Sequence, residues 1–97
     1  MEHTIHAEVW RHTGAAAWHF VTLPHELADE IRARVAGAPS PFGMARVQAT
    51  IGTTTWSTSL YADTKRASFL LPIKSDVRRR ERIADGDTVE IRLRLAT

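Results

Sequence analysis

Hydrophobic and polar positions alternate along most of this chain, and the breaks in the alternation mark its elements. From 3 to 10, HTIHAEVW sets Ile5, Ala7 and Val9 on one side and His6, Glu8 and Trp10 on the other. A period of two is that of a strand with one buried face. A Gly14-containing connection leads to WHFVTL, 18 to 23, whose aromatic and β-branched residues predict a second strand. Pro24 ends it, because proline has no N–H for a ladder and suits the first turn of a helix.

The period then changes. In HELADEIRARV, 25 to 35, Leu27, Ile31 and Val35 fall four apart and form one apolar stripe. This predicts a short amphipathic helix with a Glu30–Arg34 pair on its wet side, ending at Gly37. Alternation returns in MARVQATI, 44 to 51, with Ala45, Val47, Ala49 and Ile51 inward. In 54 to 62, Trp56, Thr58 and Leu60 share a face. ASFLLPI, 67 to 73, is continuously apolar, as a strand buried on both faces would be. Ser75 or Asp76 can cap a second helix running through Ile83. After the ADGD turn, TVEIRLRL closes the chain with Val89, Ile91, Leu93 and Leu95 inward.

These elements predict an all-β domain with two short helices, spanning 1–97 as a single β-barrel. No strand–helix–strand rhythm with long crossovers appears, which argues against a parallel sheet. A small closed or half-closed barrel removes exposed strand edges and fits best. Leu23-Pro24 and Leu71-Pro72 each end a strand and begin a helix, so the halves read alike and suggest pseudo-twofold architecture.

Composition changes this picture little. With 97 residues, 43% hydrophobic and 25% charged, the chain can bury a core without staples. It has no cysteine, which excludes disulfides, thiolate metal sites and a cysteine nucleophile. The opening residues lack the layout of a signal peptide, and no apolar run reaches the ~20 residues of a membrane span, so a cytoplasmic location is expected. The net charge is only +2, from 13 Lys and Arg against 11 Asp and Glu. Nucleic-acid binding would therefore require clustered positive charge.

The candidate clusters are three. RRRER, 78 to 82, looks like a phosphate-binding patch, but consecutive helical residues point ~100° apart and cannot face one duplex. Asp76, Glu81, Asp85 and Asp87 dilute it further. Arg46, Arg92 and Arg94 form a second patch if their strands are neighbours. The five histidines, His3, His6, His12, His19 and His25, follow no metal-ligand spacing, and no metal or other cofactor is expected. There is no nucleophile elbow or phosphate loop, and Ser57, Ser59, Tyr61 and Asp63 form only the polar row that a strand carries routinely, so catalysis is not expected.

The ordered motifs WHFVTLP (18–24), GMARVQATI (43–51), WSTSL (56–60), LPIK (71–74), Arg78 and GDTVEIRL (86–93) resemble the bacterial domain-of-unknown-function family with serial number 1905. The strand–Pro–helix–Gly-Asp–strand segment also resembles the AbrB-type swapped-hairpin barrels. The resemblance implies a single-chain, double-split-like β-barrel and no established activity. Members of the family are often joined to a second domain, for which this chain leaves no room. Lys74 and Arg78 are the polar positions that best match the family pattern. They could receive an anionic group at a barrel mouth, with Trp18, Trp56 and Tyr61, beside Phe20, as aromatic candidates for the same pocket.

The sequence thus reads as a non-catalytic binding or interaction module with a small anionic or aromatic ligand as partner. The alternative is a nucleic-acid-binding module of the AbrB type, although specific duplex recognition is not expected from this charge pattern. The solvated reading of RRRER has a direct check. Replacing Arg79 and Arg80 together by Ala should change stability in urea melts by less than about 1 kcal/mol, as surface substitutions usually do.

Overall fold

The alternating segments become strands. The computed structural model describes residues 2–13, 18–35 and 45–95. Among these residues there are six strands, β1 (Glu2–Arg11), β2 (His19–Thr22), β3 (Ala45–Ile51), β4 (Thr54–Asp63), β5 (Ser68–Pro72) and β6 (Thr88–Leu95). There are two helices, α1 (His25–Val35) and α2 (Ser75–Arg80). The strands close into a barrel in the order β1-β2-β5-β4-β3-β6, with every neighbouring pair antiparallel. The protein is therefore a small all-β barrel, and the Gly14 connection and the Gly37 helix end lie outside the described residues.

Alternation decides what fills the barrel. Ile5, Val9, Val21, Leu60, Leu71, Ile91 and Leu93 point inward and are buried. Across the β3–β4 ladder small residues oppose large ones, Ala49 facing Trp56 and Ala45 facing Leu60. A narrow six-stranded interior needs that complementarity to reach crystal-like packing. Trp56 is only 7% exposed, and its indole N–H has no partner among the described residues. The helices close opposite ends. α1 sends Leu27, Ala28 and Ile31 into the core at the end where β1 starts, and α2 sends in Val77 at the other.

The two halves are related by topology. Exchanging β1, β2 and β3 for β4, β5 and β6 leaves the cyclic strand order unchanged. The registers follow: Ile5↔Ile91 has Thr58↔Val47 as its counterpart, and Ala7↔Val89 has Leu60↔Ala45. β2 and β5 pair with each other, centred on Val21↔Leu71 and Thr22↔Leu70, so the axis passes between them. At this seam the buried Ser68 donates its hydroxyl to the Leu23 carbonyl at 2.7 Å.

Several local expectations are corrected. Glu30 does not pair with Arg34; its carboxylate lies 3.3 Å from His3 Nε2 and links α1 to β1, while Arg32 pairs with Asp29. The second strand is only four residues long and leaves Trp18 outside it. α2 stops at Arg80 instead of running to Ile83 because Arg82 takes a left-handed conformation, φ +54°. The N–H of Ile83 donates to the Arg78 carbonyl and that of Arg82 to Arg79, the paired bonds of a Schellman cap. Ile83 folds back as a partly buried apolar residue against the core. Neither Ser75 nor Asp76 caps the helix; Lys74 holds the N-cap position without a side-chain bond.

Two glycines are required by their backbone. Gly86 has φ +93° in the turn before β6, and its N–H donates to the Val9 carbonyl at 2.7 Å. Gly52, φ +58°, is the first residue of the two-residue β3–β4 turn. A Cβ at Gly52 would run into the Glu81 carboxylate, which accepts a 2.6 Å bond from the Thr54 hydroxyl. A Cβ at Gly86 would meet nothing within 4 Å. Gly86→Val should therefore lose more than about 1 kcal/mol from backbone strain alone. Gly52→Ala should lose more in the wild type than in a Glu81→Ala background, because only there is the obstructing carboxylate gone. Equal losses in a urea double-mutant cycle would contradict this.

Candidate ligand site

The strand–helix junction at the end of β5 builds the site. Leu71 and Ile73 are anchored in the core. The Ile73 N–H donates to the His19 carbonyl at 2.9 Å, which continues the β2–β5 pairing beyond the strand. This fixes where Lys74 leaves the barrel. One helical turn on, Arg78 donates its Nε–H to the Ile73 carbonyl at 3.1 Å. The terminal nitrogens of its guanidinium make no further hydrogen bond among the described residues. The neighbouring carboxylates are engaged elsewhere: Asp76 pairs with Arg79, and Glu81 accepts from Thr54.

The opposite wall comes from the β1–β2 hairpin. The His12 N–H donates to the Trp18 carbonyl at 2.8 Å and holds Trp18 at the mouth of the hairpin. Its ring stacks on Phe20, centroids 5.9 Å apart and planes 13° apart, while remaining 50% exposed. Trp18, His19, Pro72, Lys74, Ser75 and Arg78 line a cavity of about 300 Å³. Its charged lining groups are both cations, and His19 Nδ1 is buried without a partner among the described residues.

A family model described as "Domain of unknown function (DUF1905)" matches residues 6–93. The chain belongs to this family. The match spans every residue of the cavity. No curated protein matches the chain.

The pseudo-twofold mate of this DUF1905 cavity is held differently. At the β2–α1 junction, His25 Nε2 lies 3.0 Å from the Arg66 carbonyl, and Arg32 donates to the Ala67 carbonyl at 2.9 Å. In the first half, side chains from the junction are thus bonded to the facing hairpin. In the second half, the Lys74 side chain makes no hydrogen bond or ion pair among the described residues, and only its carbonyl is used, by the Arg78 N–H.

Of the five residues singled out in the sequence, Trp18, Lys74 and Arg78 share the cavity. Trp56 and Tyr61 do not. Trp56 points into the core, and Tyr61, 40% exposed, pairs with Leu70 on another part of the wall. Inward and outward faces of a strand were legible, but which outward residues meet depended on barrel curvature. His19 and Pro72 were missed as lining residues because each reads locally as an ordinary strand position.

Of the other basic groups, Arg46 and Arg94 meet at a cavity of about 290 Å³ on β3 and β6. Arg46, Arg92 and Arg94 lie outward on the adjacent strands β3 and β6, and Arg46 donates to the Ser59 hydroxyl at 3.0 Å. Glu2 stands opposite Arg94, and His6 lies 3.3 Å from Glu90 in the same surface. Arg79 and Arg80 are exposed on α2. Among the described residues no helix is long and apolar enough to cross a membrane.

A larger outer cavity, about 540 Å³, was not foreseen. Arg66 reaches from the β4–β5 turn over the Trp10 ring, 4.9 Å from its centroid. Asp63 accepts a 2.6 Å bond from the Arg66 guanidinium, and this bond chiefly holds its carboxyl below the ordinary value, against a smaller opposing effect of burial. A lowered folded pKa means that Asp63 stabilises the fold above its unfolded value of about 3.9 and loses that contribution as pH falls. The stability gap between wild type and Asp63→Asn in urea melts should therefore narrow from pH 7 to pH 3. A gap that stays constant would show that the charge of Asp63 is not what matters.

Proposed function

We propose that this DUF1905 domain is a non-catalytic binding module whose cavity between the β1–β2 hairpin and α2 takes a small anion carrying a planar or apolar part. The observation that carries the reading is the meeting of Lys74, Arg78 and the exposed face of Trp18 at one cavity with no acid among the described lining residues. An ammonium and a guanidinium offer several donors to a carboxylate or phosphate. The indole face and Pro72 offer apolar area to the rest of the ligand. The contrast with the first half, where the corresponding junction is internally bonded, supports a use for the second. The absence of cysteine fits a reducing, cytoplasmic compartment. The shared strand order of the halves supports kinship with double-split barrels.

A second reading, duplex contact through β3 and β6, is favoured by Arg46, Arg92 and Arg94 standing on neighbouring strands. Glu2 and Glu90 in that surface oppose it.

Tryptophan fluorescence titrations separate the ingredients of the first reading. Phenyl phosphate should bind more tightly than inorganic phosphate or phenol, because only it uses both cations and ring. Lys74→Ala should weaken it by about tenfold or more, on the scale of one hydrogen bond to a charged group. Lys74 is exposed, so this variant should melt like the wild type. Equal, negligible binding of all three probes would remove the proposal.

A further inference from the structure

The barrel wall carries a run of aromatic rings whose faces are not all used by the core. Trp10 lies 5.4 Å from Phe20, centroid to centroid, and Phe20 lies 5.9 Å from the stacked Trp18. His12 adds a ring 6.5 Å from Trp10 and 6.3 Å from Phe20. Phe20 is buried beneath its neighbours, whereas His12 and Trp18 are exposed. One end of the run opens into the Lys74–Arg78 cavity. The other opens into the larger cavity, where Arg11, Lys65 and Arg66 stand around Trp10. Asp63 is the single acidic residue among the described residues lining either cavity, and Arg66 already pairs with it.

We infer that this tract binds single-stranded nucleic acid, with bases stacked on the exposed rings and phosphates held by the cations at both ends. The inference rests on reading the Lys74–Arg78 cavity as an anion site and extends that site to a polymer. Two observations point to a single strand. Cations at both ends, with the one acid of the larger cavity paired to Arg66, complement a repeating anion. Rings along the path offer stacking faces, which every base accepts whatever its sequence. A duplex keeps its bases stacked on one another and cannot use the rings, whereas a single strand adds stacking to the phosphate contacts and depends less on net charge. Trp18 is the residue shared by the small-anion cavity and the aromatic run.

The test titrates the intact chain, by tryptophan quenching, with thymidine 5′-monophosphate, oligothymidylates of two, four and eight residues, a duplex of matched length, and phenyl phosphate. The tetranucleotide should bind about tenfold or more tighter than the mononucleotide, as added stacking and phosphate contacts require. Arg11→Ala with Lys65→Ala should weaken the tetranucleotide about tenfold and leave the mononucleotide unchanged. Two lost phosphate contacts should also flatten the log–log salt dependence by about 1.4 units. Both side chains are exposed, and a thermal melt of the double variant checks its folding. If phenyl phosphate or the mononucleotide binds but the tetranucleotide binds no tighter, the single-strand inference is overturned and the small-anion site stands. If nothing binds, both fall. Duplex binding as tight as that of the tetranucleotide also overturns the inference, because it would assign affinity to a surface independent of the rings.

Discussion

Closure of the sheet by the β1–β6 ladder is the constraint on which the other features depend. The pairing runs from Glu2↔Arg94 to Glu8↔Thr88 and joins the first strand of the chain to the last. It leaves none of the six described strands at an open edge, which matters for a small domain whose wall would otherwise offer unpaired backbone groups to other chains. The Gly86 turn sets the end of the ladder, since Gly86 and Asp87 both bond to Val9. Closure also fixes curvature, and curvature determines which outward side chains meet.

The pseudo-twofold halves give the barrel economy of design without identical surfaces. The same strand order and corresponding registers recur, while the residues at the strand–helix junctions have diverged. At β2–α1, His25 and Arg32 bond to the facing hairpin. At β5–α2, the polar groups are Lys74 and Arg78, and the facing hairpin supplies Trp18. The Schellman cap at Arg82 keeps α2 short and turns Ile83 back onto the core. Glu81 stays beside the β3–β4 turn, so one member of a run of charges has a packing role while its arginine neighbours remain in water.

Side-chain chemistry outside the core follows the same division. Arg66 is engaged at once by the Asp63 carboxylate and the Trp10 ring, which holds a long cationic side chain in a defined position. Lys74 has no such engagement among the described residues, and Arg78 spends only its Nε on the backbone. The aromatic run between them belongs to the outer surface, with Trp10 tied to Thr22 by a 2.9 Å bond from its indole N–H.

The sequence by itself determined the elements, the inward faces and the all-β architecture. Period two is a local consequence of strand geometry, so Val47, Ile91 and Leu93 could be assigned to the core one strand at a time. The Leu-Pro pairs carried the half repeat for the same local reason. The ADGD turn was legible because Gly and Asp favour turns, and Gly86 there takes a positive φ that few other residues accept. Only the tertiary structure decided that Trp18 joins Lys74 and Arg78 while Trp56 and Tyr61 go elsewhere. It also decided that Glu30 meets His3, and that Arg66 covers Trp10. These contacts join residues distant in sequence across a curved, closed sheet. Their partners are set by strand order, register and tilt, which the alternation of one segment does not encode.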